Sequence, residues 1–111
     1  EQPLKFRRLT AGTQMEPGPL RTRHPVADSP EMIPDLLIIP MLAFDADGYR
    51  IGWGGGFYDR TLAKLRAEKK VIAIGAAFAA QQVDKVPRDQ HDARLDWIAT
   101  EAGLIEITSD A

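Results

Sequence analysis

Arg50-Ile51-Gly52-Trp53-Gly54-Gly55-Gly56-Phe57-Tyr58-Asp59-Arg60 is the stretch on which the reading of this chain turns. Four of the five residues from Gly52 to Gly56 are glycine. Glycine buries no side chain and loses the most conformational entropy on folding, so packing does not explain the run. It supplies positive φ angles and lets another group lie against the backbone. Upstream, Leu36-Leu37-Ile38-Ile39 is a continuous apolar run, the mark of a strand covered on both faces. Downstream, Phe57 to Lys70 has no glycine or proline and places Tyr58, Leu62 and Leu65 at helical spacing. A glycine-rich loop opening a helix aims free N–H groups at one spot, at the positive end of the helix dipole, where phosphate binds.

Neither common phosphate fingerprint fits. No Gly-Lys-Ser/Thr follows the glycines, and Asp45-Ala46-Asp47-Gly48, a turn by composition, separates them from the apolar strand. A flexible hairpin loop is the alternative reading of the glycines alone. Asp59 falls in the first helical turn, where the dipole favours a carboxylate by about 0.3–1 kcal/mol. Helix capping and a carboxylate for Mg²⁺ beside a phosphate explain it equally well. Arg50 and Arg60 flank the loop and could neutralise phosphate oxygens; for Arg60 a solvated surface charge is the better reading.

The pattern widens into a family resemblance. Asp35-Leu36, Pro40, Leu42, Phe44-Asp45, Gly48, Arg50, Gly52, Gly54 and Gly56 lead into Phe57-Tyr58-Asp59-Arg60. This resembles D-L-x-x-x-P-x-L-x-F-D-x-x-G-x-R-x-G-x-G-x-G-Y-Y-D-R, the hallmark of the 5-formyltetrahydrofolate cyclo-ligase (5,10-methenyltetrahydrofolate synthetase) family. Val86-Pro87, His91-Asp92 and Leu95-Asp96 are similar to its closing segment, so the likeness covers most of residues 35–100. Phe57 stands where tyrosine is common, and Met41 where glycine is frequent. The family's basic N-terminal residues for ATP phosphates and its folate-binding glutamate have no counterpart that can be placed here. The chain is therefore expected to start about halfway through the family pattern.

The resemblance implies a three-layer α/β fold of the NagB/RpiA/CoA-transferase-like kind, a largely parallel sheet with flanking helices, truncated at the N-terminus. It implies a cytoplasmic ligase of one-carbon metabolism. In that reaction the formyl oxygen of 5-formyltetrahydrofolate takes the γ-phosphoryl of ATP, N10 attacks the activated carbon, and phosphate leaves with 5,10-methenyltetrahydrofolate and ADP formed. By the same analogy Arg50, Ile51, Gly52, Trp53, Gly54, Gly55, Gly56, Phe57 and Tyr58 contact ATP. Trp53, Gly54, Gly55, Gly56 and Phe57 also touch the folate, and Asp59 and Asp92 hold Mg²⁺. Trp53 and Phe57 offer flat faces for a pterin, with core packing as the alternative. No catalytic nucleophile is assigned, since such chemistry rests on positioning and charge neutralisation. A non-catalytic nucleotide-binding module, an inactive structural fragment and a sugar-phosphate isomerase are the competing classes. The last is disfavoured because nothing pairs a base with a ring-opening acid.

Composition sets outer bounds. At 111 residues with a net charge of −2, the chain is long enough for a core and offers no bulk charge for nucleic acid or an anionic membrane. It has no cysteine, hence no disulfide or thiolate metal site. No apolar run approaches the roughly 20 residues of a membrane span. Residues 1–111 are expected to form one α/β domain, with 11–34 an extended segment or a linker: prolines recur at 17, 19, 25, 30 and 34. Arg21, Arg23 and His24 in that segment read as solvated. The spacing predicts strands at Leu4–Leu9, Leu36–Ile39, Tyr49–Ile51, Val71–Gly75, Leu95–Thr100 and Gly103–Ile107, and leaves Ala76–Val83 open between strand and short helix. Asp84, Arg88 and Asp89 read as a charged surface loop, and His91 receives no catalytic role.

Overall fold

The computed structural model describes residues 3–7, 9, 11–12, 14–18, 22–26, 29–52, 56–88 and 92–108. It divides into two compact units, residues 5–34 and residues 1–4 with 35–111. In the smaller unit, β1 (Phe6–Arg7) pairs antiparallel with β4 (Glu31–Met32). Within residues 11–34, β2 (Met15–Pro17) and β3 (Arg23–Pro25) form an antiparallel pair in the register Glu16↔His24. The Gly18 N–H donates to Thr22 O at 2.8 Å. His24 is exposed, as expected, 3.6 Å from the Glu16 carboxylate.

The larger unit is built on a four-stranded sheet in the order β10-β9-β8-β5. β5 (Leu36–Pro40) and β8 (Ile72–Ala76) are parallel, as are β8 and β9 (Trp97–Thr100); β10 (Gly103–Glu106) returns antiparallel along β9. The sheet is thus mixed, with two parallel ladders and one antiparallel. A two-residue turn joins Thr100 to Gly103, too short for anything but an antiparallel return. Strands β6 (Ala43–Phe44) and β7 (Arg50–Ile51) pair separately around the Asp45–Gly48 turn. Gly48 adopts φ +89°, and a Cβ there would lie 2.9 Å from Ile107 Cγ2, so the turn needs glycine on both counts.

Helix α1 (Phe57–Glu68) connects β5 to its parallel neighbour β8, a βαβ unit. Gly56 precedes it in the left-handed region, and the helix stops two residues short of Lys70 where Lys69 becomes extended. Arg66, in the last turn, donates to Asp96 Oδ2 at 3.1 Å, and Ala73 N–H donates to the same oxygen at 2.8 Å. Lys69 pairs with Asp35. These contacts tie the helix end to the strands. The core takes Leu62 and Leu65 from α1 with Leu37, Ile39, Ala73 and Ile98 from alternate strand positions. Gly75, in register with Ile39 and Ile98, makes room for Leu95 and Met41, whose tips would meet its Cβ at 2.7 and 2.8 Å. Residues 76–83, open in the sequence, hold the 3₁₀ turn Ala79–Gln81. Gln81 donates from its amide to Met41 O and Leu42 O.

Candidate active site

A cavity of about 490 Å³ opens where β7, the start of α1, Pro87 and Asp92 meet. Arg50, Ile51, Gly52, Gly56, Phe57, Tyr58, Asp59 and Asp92 all line it, with Leu4 and Pro87. Every described residue expected to touch ATP or metal is therefore brought to one concavity. Trp53, Gly54 and Gly55 lie outside the described residues, as do Asp89 and His91.

Arg50 is its main positive group. Its side chain is 6% exposed, stacks over the Tyr58 ring at 5.4 Å and places Nη2 3.5 Å from Asp59 Oδ1. Its Nε is buried and finds no hydrogen-bond partner among the described residues. A buried guanidinium nitrogen without an acceptor is costly. Gly52 leaves room for it: a Cβ would sit 2.5 Å from Arg50 Nη1, so any side chain there would push the guanidinium aside. The first helical hydrogen bond runs from Arg60 N–H to Gly56 O at 3.1 Å. The N–H groups of residues 57–59 thus have no partner in the helix's own ladder and sit at its positive end.

Asp59 Oδ1 accepts the Ala93 N–H at 3.1 Å besides meeting Arg50. Its carboxylate is turned toward Arg50 and the neighbouring segment, and Gly56 offers no side chain to cap the helix. Both expected metal residues therefore share the cavity wall, Asp59 from the helix and Asp92 from the loop after Pro87.

Arg60 departs from its expected solvated state. Its guanidinium lies 5.2 Å from the Phe57 ring, and Nε and Nη2 are buried without a hydrogen-bond partner among the described residues. Arg88 departs from its expected place on a charged surface too. It stacks on Tyr49 at 3.8 Å and donates through Nη2 to Asp45 Oδ2 at 2.6 Å. Asp45, a residue of the family pattern and of the expected turn to which no site role was given, is the anchor of this region. It is 1% exposed and accepts from Asp47 N–H, Tyr49 N–H, Val86 N–H and Arg88 at 2.6–3.1 Å. It joins the turn leading to Arg50 to the loop carrying Pro87. Burial raises its pKa, but the hydrogen bonds from Val86, Tyr49 and Asp47 and the Arg88 charge prevail and leave it lowered. The Asp-x-Asp-Gly turn composition was the available signal; its partners 41 and 43 residues away carried none.

Comparison with known proteins adds the identity of the scaffold. The model of the 5-formyltetrahydrofolate cyclo-ligase family matches residues 3–101. The 5-formyltetrahydrofolate cyclo-ligase of Haemophilus influenzae is 36% identical over 96 residues, covering 83% of this chain and 51% of that protein. Its Escherichia coli counterpart is 37% identical over 91 residues, 78% of this chain and 50% of that protein. Among solved structures, the NMR structure of Aquifex aeolicus 5,10-methenyltetrahydrofolate synthetase matches with a TM-score of 0.75 at 26% identity, over 98% of this chain and 55% of that one. The chain thus spans about half the length of the curated relatives it matches. With a family model covering nearly its whole length, the chain belongs to the 5-formyltetrahydrofolate cyclo-ligase family.

Proposed function

We propose that the chain carries the nucleotide-binding part of an ATP-dependent ligase that cyclises 5-formyltetrahydrofolate to 5,10-methenyltetrahydrofolate, releasing ADP and phosphate. The observation that carries this reading is the convergence of Arg50, Gly52, Gly56, Tyr58, Asp59 and Asp92 on one cavity in a chain of this family. Phosphate oxygens are taken by Arg50, whose Nε has no acceptor among the described residues, and by the N–H groups at the start of α1. Residues 50–58 hold ATP, with Trp53, Gly54, Gly55, Gly56 and Phe57 also against the folate.

Two carboxylates on one wall suit Mg²⁺, which keeps several waters and takes phosphate oxygens with one or two protein ligands. Among the described residues no three His, Cys, Asp or Glu side chains gather to hold a metal. An ion held by Asp59 and Asp92 would therefore complete its shell from nucleotide and solvent, and it would neutralise charge on the transferring phosphoryl group. Asp59 would exchange Arg50 for the metal, freeing the guanidinium for phosphate. The reading also takes the sheet as part of a three-layer NagB/RpiA/CoA-transferase-like fold in a cytoplasmic enzyme. No described helix is long and apolar enough to cross a membrane.

Calorimetric titration with ATP, with and without Mg²⁺, and then with 5-formyltetrahydrofolate, tests this. Nucleotide affinity that rises with Mg²⁺, with folate binding beside it, is the expected result; no nucleotide affinity overturns the proposal. A second reading, a nucleotide-binding fragment without turnover, is favoured by the chain's covering about half of its relatives. It expects ATP binding with negligible cyclo-ligase activity in the isolated chain, and substantial turnover would refute it.

A further inference from the structure

Two described residues that follow α1 in the chain line the cavity, Pro87 and Asp92, and one turn, Asp45–Gly48, anchors the neighbours of both. On the Pro87 side, Asp45 Oδ2 accepts the Val86 N–H at 2.8 Å and Arg88 Nη2 at 2.6 Å. Both flanks of Pro87 are thus fastened to a single oxygen. Arg88 also lies 3.8 Å from the ring centre of Tyr49, the residue before Arg50. On the Asp92 side, Arg94 donates from Nε to Asp47 O at 2.6 Å and from Nη2 to Thr108 O at 2.8 Å. The Leu95 N–H donates to Gly48 O at 2.8 Å, and the Ala93 N–H to Asp59 Oδ1 at 3.1 Å. The backbones meet closely there, since a Cβ on Gly48 would lie 3.0 Å from Leu95 O. The same turn runs directly into β7, whose Arg50 and Ile51 line the cavity too.

We propose that Arg88 and Arg94 are positioning residues of the site: Arg88 sets the place of Pro87 and of the Tyr49–Arg50 step, and Arg94 sets the place of Asp92. Neither arginine lines the cavity, so each acts through the residues that it fastens. Arginine suits both places because its planar fork can meet two partners at once. Arg94 bridges two carbonyls, and Arg88 combines a carboxylate with a ring face. Groups held in place before the ligand arrives lose less freedom on binding, which is where such anchoring gains affinity. The effect on affinity depends on the nucleotide reading of the cavity; the anchoring itself does not.

Arg88→Gln and Arg94→Gln test this by amide hydrogen exchange without ligand and by calorimetric titration with ATP, with and without Mg²⁺. Exchange should quicken about tenfold at Val86 in Arg88→Gln and at Ala93 and Leu95 in Arg94→Gln, with Leu65 in α1 unchanged. Arg88→Gln should lower metal-free ATP affinity severalfold and keep the gain that Mg²⁺ brings. Arg94→Gln should keep metal-free affinity and lose most of that gain. Arg94→Lys, which reaches one carbonyl at a time, should fall between Arg94→Gln and the parent. If Arg88→Gln does not fold, Arg88→Lys takes its place; it keeps the charge beside Asp45, loses the flat stack on Tyr49 and should still bind metal-free ATP severalfold more weakly. Lys69→Gln, which breaks the pair with Asp35 at the other end of α1, should change none of these readings. Parallel loss of both affinities in both variants, exchange that quickens equally through α1, or affinities unchanged in both variants overturns the proposal. A parent chain without ATP affinity defeats the nucleotide reading instead, and exchange confined to Val86, Ala93 and Leu95 then still supports the anchoring.

Discussion

Replacing Asp45 by alanine is the most informative perturbation of this fold. The wild-type carboxylate accepts four hydrogen bonds, from Asp47 N–H at 3.0 Å, Tyr49 N–H at 3.1 Å, Val86 N–H at 2.8 Å and Arg88 Nη2 at 2.6 Å. Alanine removes both carboxylate oxygens and leaves all four donors without their acceptor. Each buried donor left unsatisfied costs about 1–3 kcal/mol, and breaking a fully buried charge pair about 3–5 kcal/mol. Arg88 keeps 24% of its side chain exposed and can turn to water, which places the loss near the lower end, about 3 kcal/mol. At about 4–8 °C per kcal/mol for a small domain, the melting temperature should fall by at least 10 °C. Urea denaturation at neutral pH reads the free energy directly. The pH profile supplies an independent check of sign. Asp45 has a lowered pKa in the folded state, so its contribution is fully present above the unfolded value near 3.9 and is lost as pH falls through the folded value. In that window the unfolded chain binds more protons, and stability rises with pH. Asp45→Asn should flatten that slope. A loss below about 1 kcal/mol for Asp45→Ala, or an unchanged acid slope for Asp45→Asn, would refute the reasoning.

Asp59→Ala should cost about 1–2 kcal/mol, because Ala93 N–H loses its acceptor, and should abolish the Mg²⁺-dependent gain in ATP affinity while metal-free ATP binds no worse; calorimetry with and without Mg²⁺ checks both. Gly52→Ala displaces the Arg50 guanidinium rather than the backbone, so ATP affinity should drop severalfold while the melting temperature moves little. Gly56→Ala places a side chain at φ +65° and should destabilise by about 1–2 kcal/mol in urea. Gly75→Ala pushes against Leu95 and Met41 tips and should cost about 1–3 kcal/mol by overpacking, measurable as an earlier thermal transition.

Whatever depends on neighbours along the chain was legible in the sequence. The apolar run Leu36–Ile39 and the β-branched run at Val71–Gly75 became paired parallel strands. The glycine- and proline-free stretch from Phe57 became α1, and the Asp45–Gly48 composition became the turn. Gly52 and Gly56, the described ends of the glycine stretch, line the cavity, because glycine at a strand-to-helix junction reports backbone geometry without needing a partner. What the tertiary structure alone decided concerns charged residues. Asp45 and Arg88 look in the sequence like Asp84, which is exposed. The burial of Asp45 and its pairing with Arg88 depend on residues 41 and 43 positions away. The order β10-β9-β8-β5, which sets β8 between β5 and β9, likewise rests on pairings between strands far apart in the chain. A side chain's local context sets its backbone preference, but whether its charge is solvated or paired is decided by what folding brings against it.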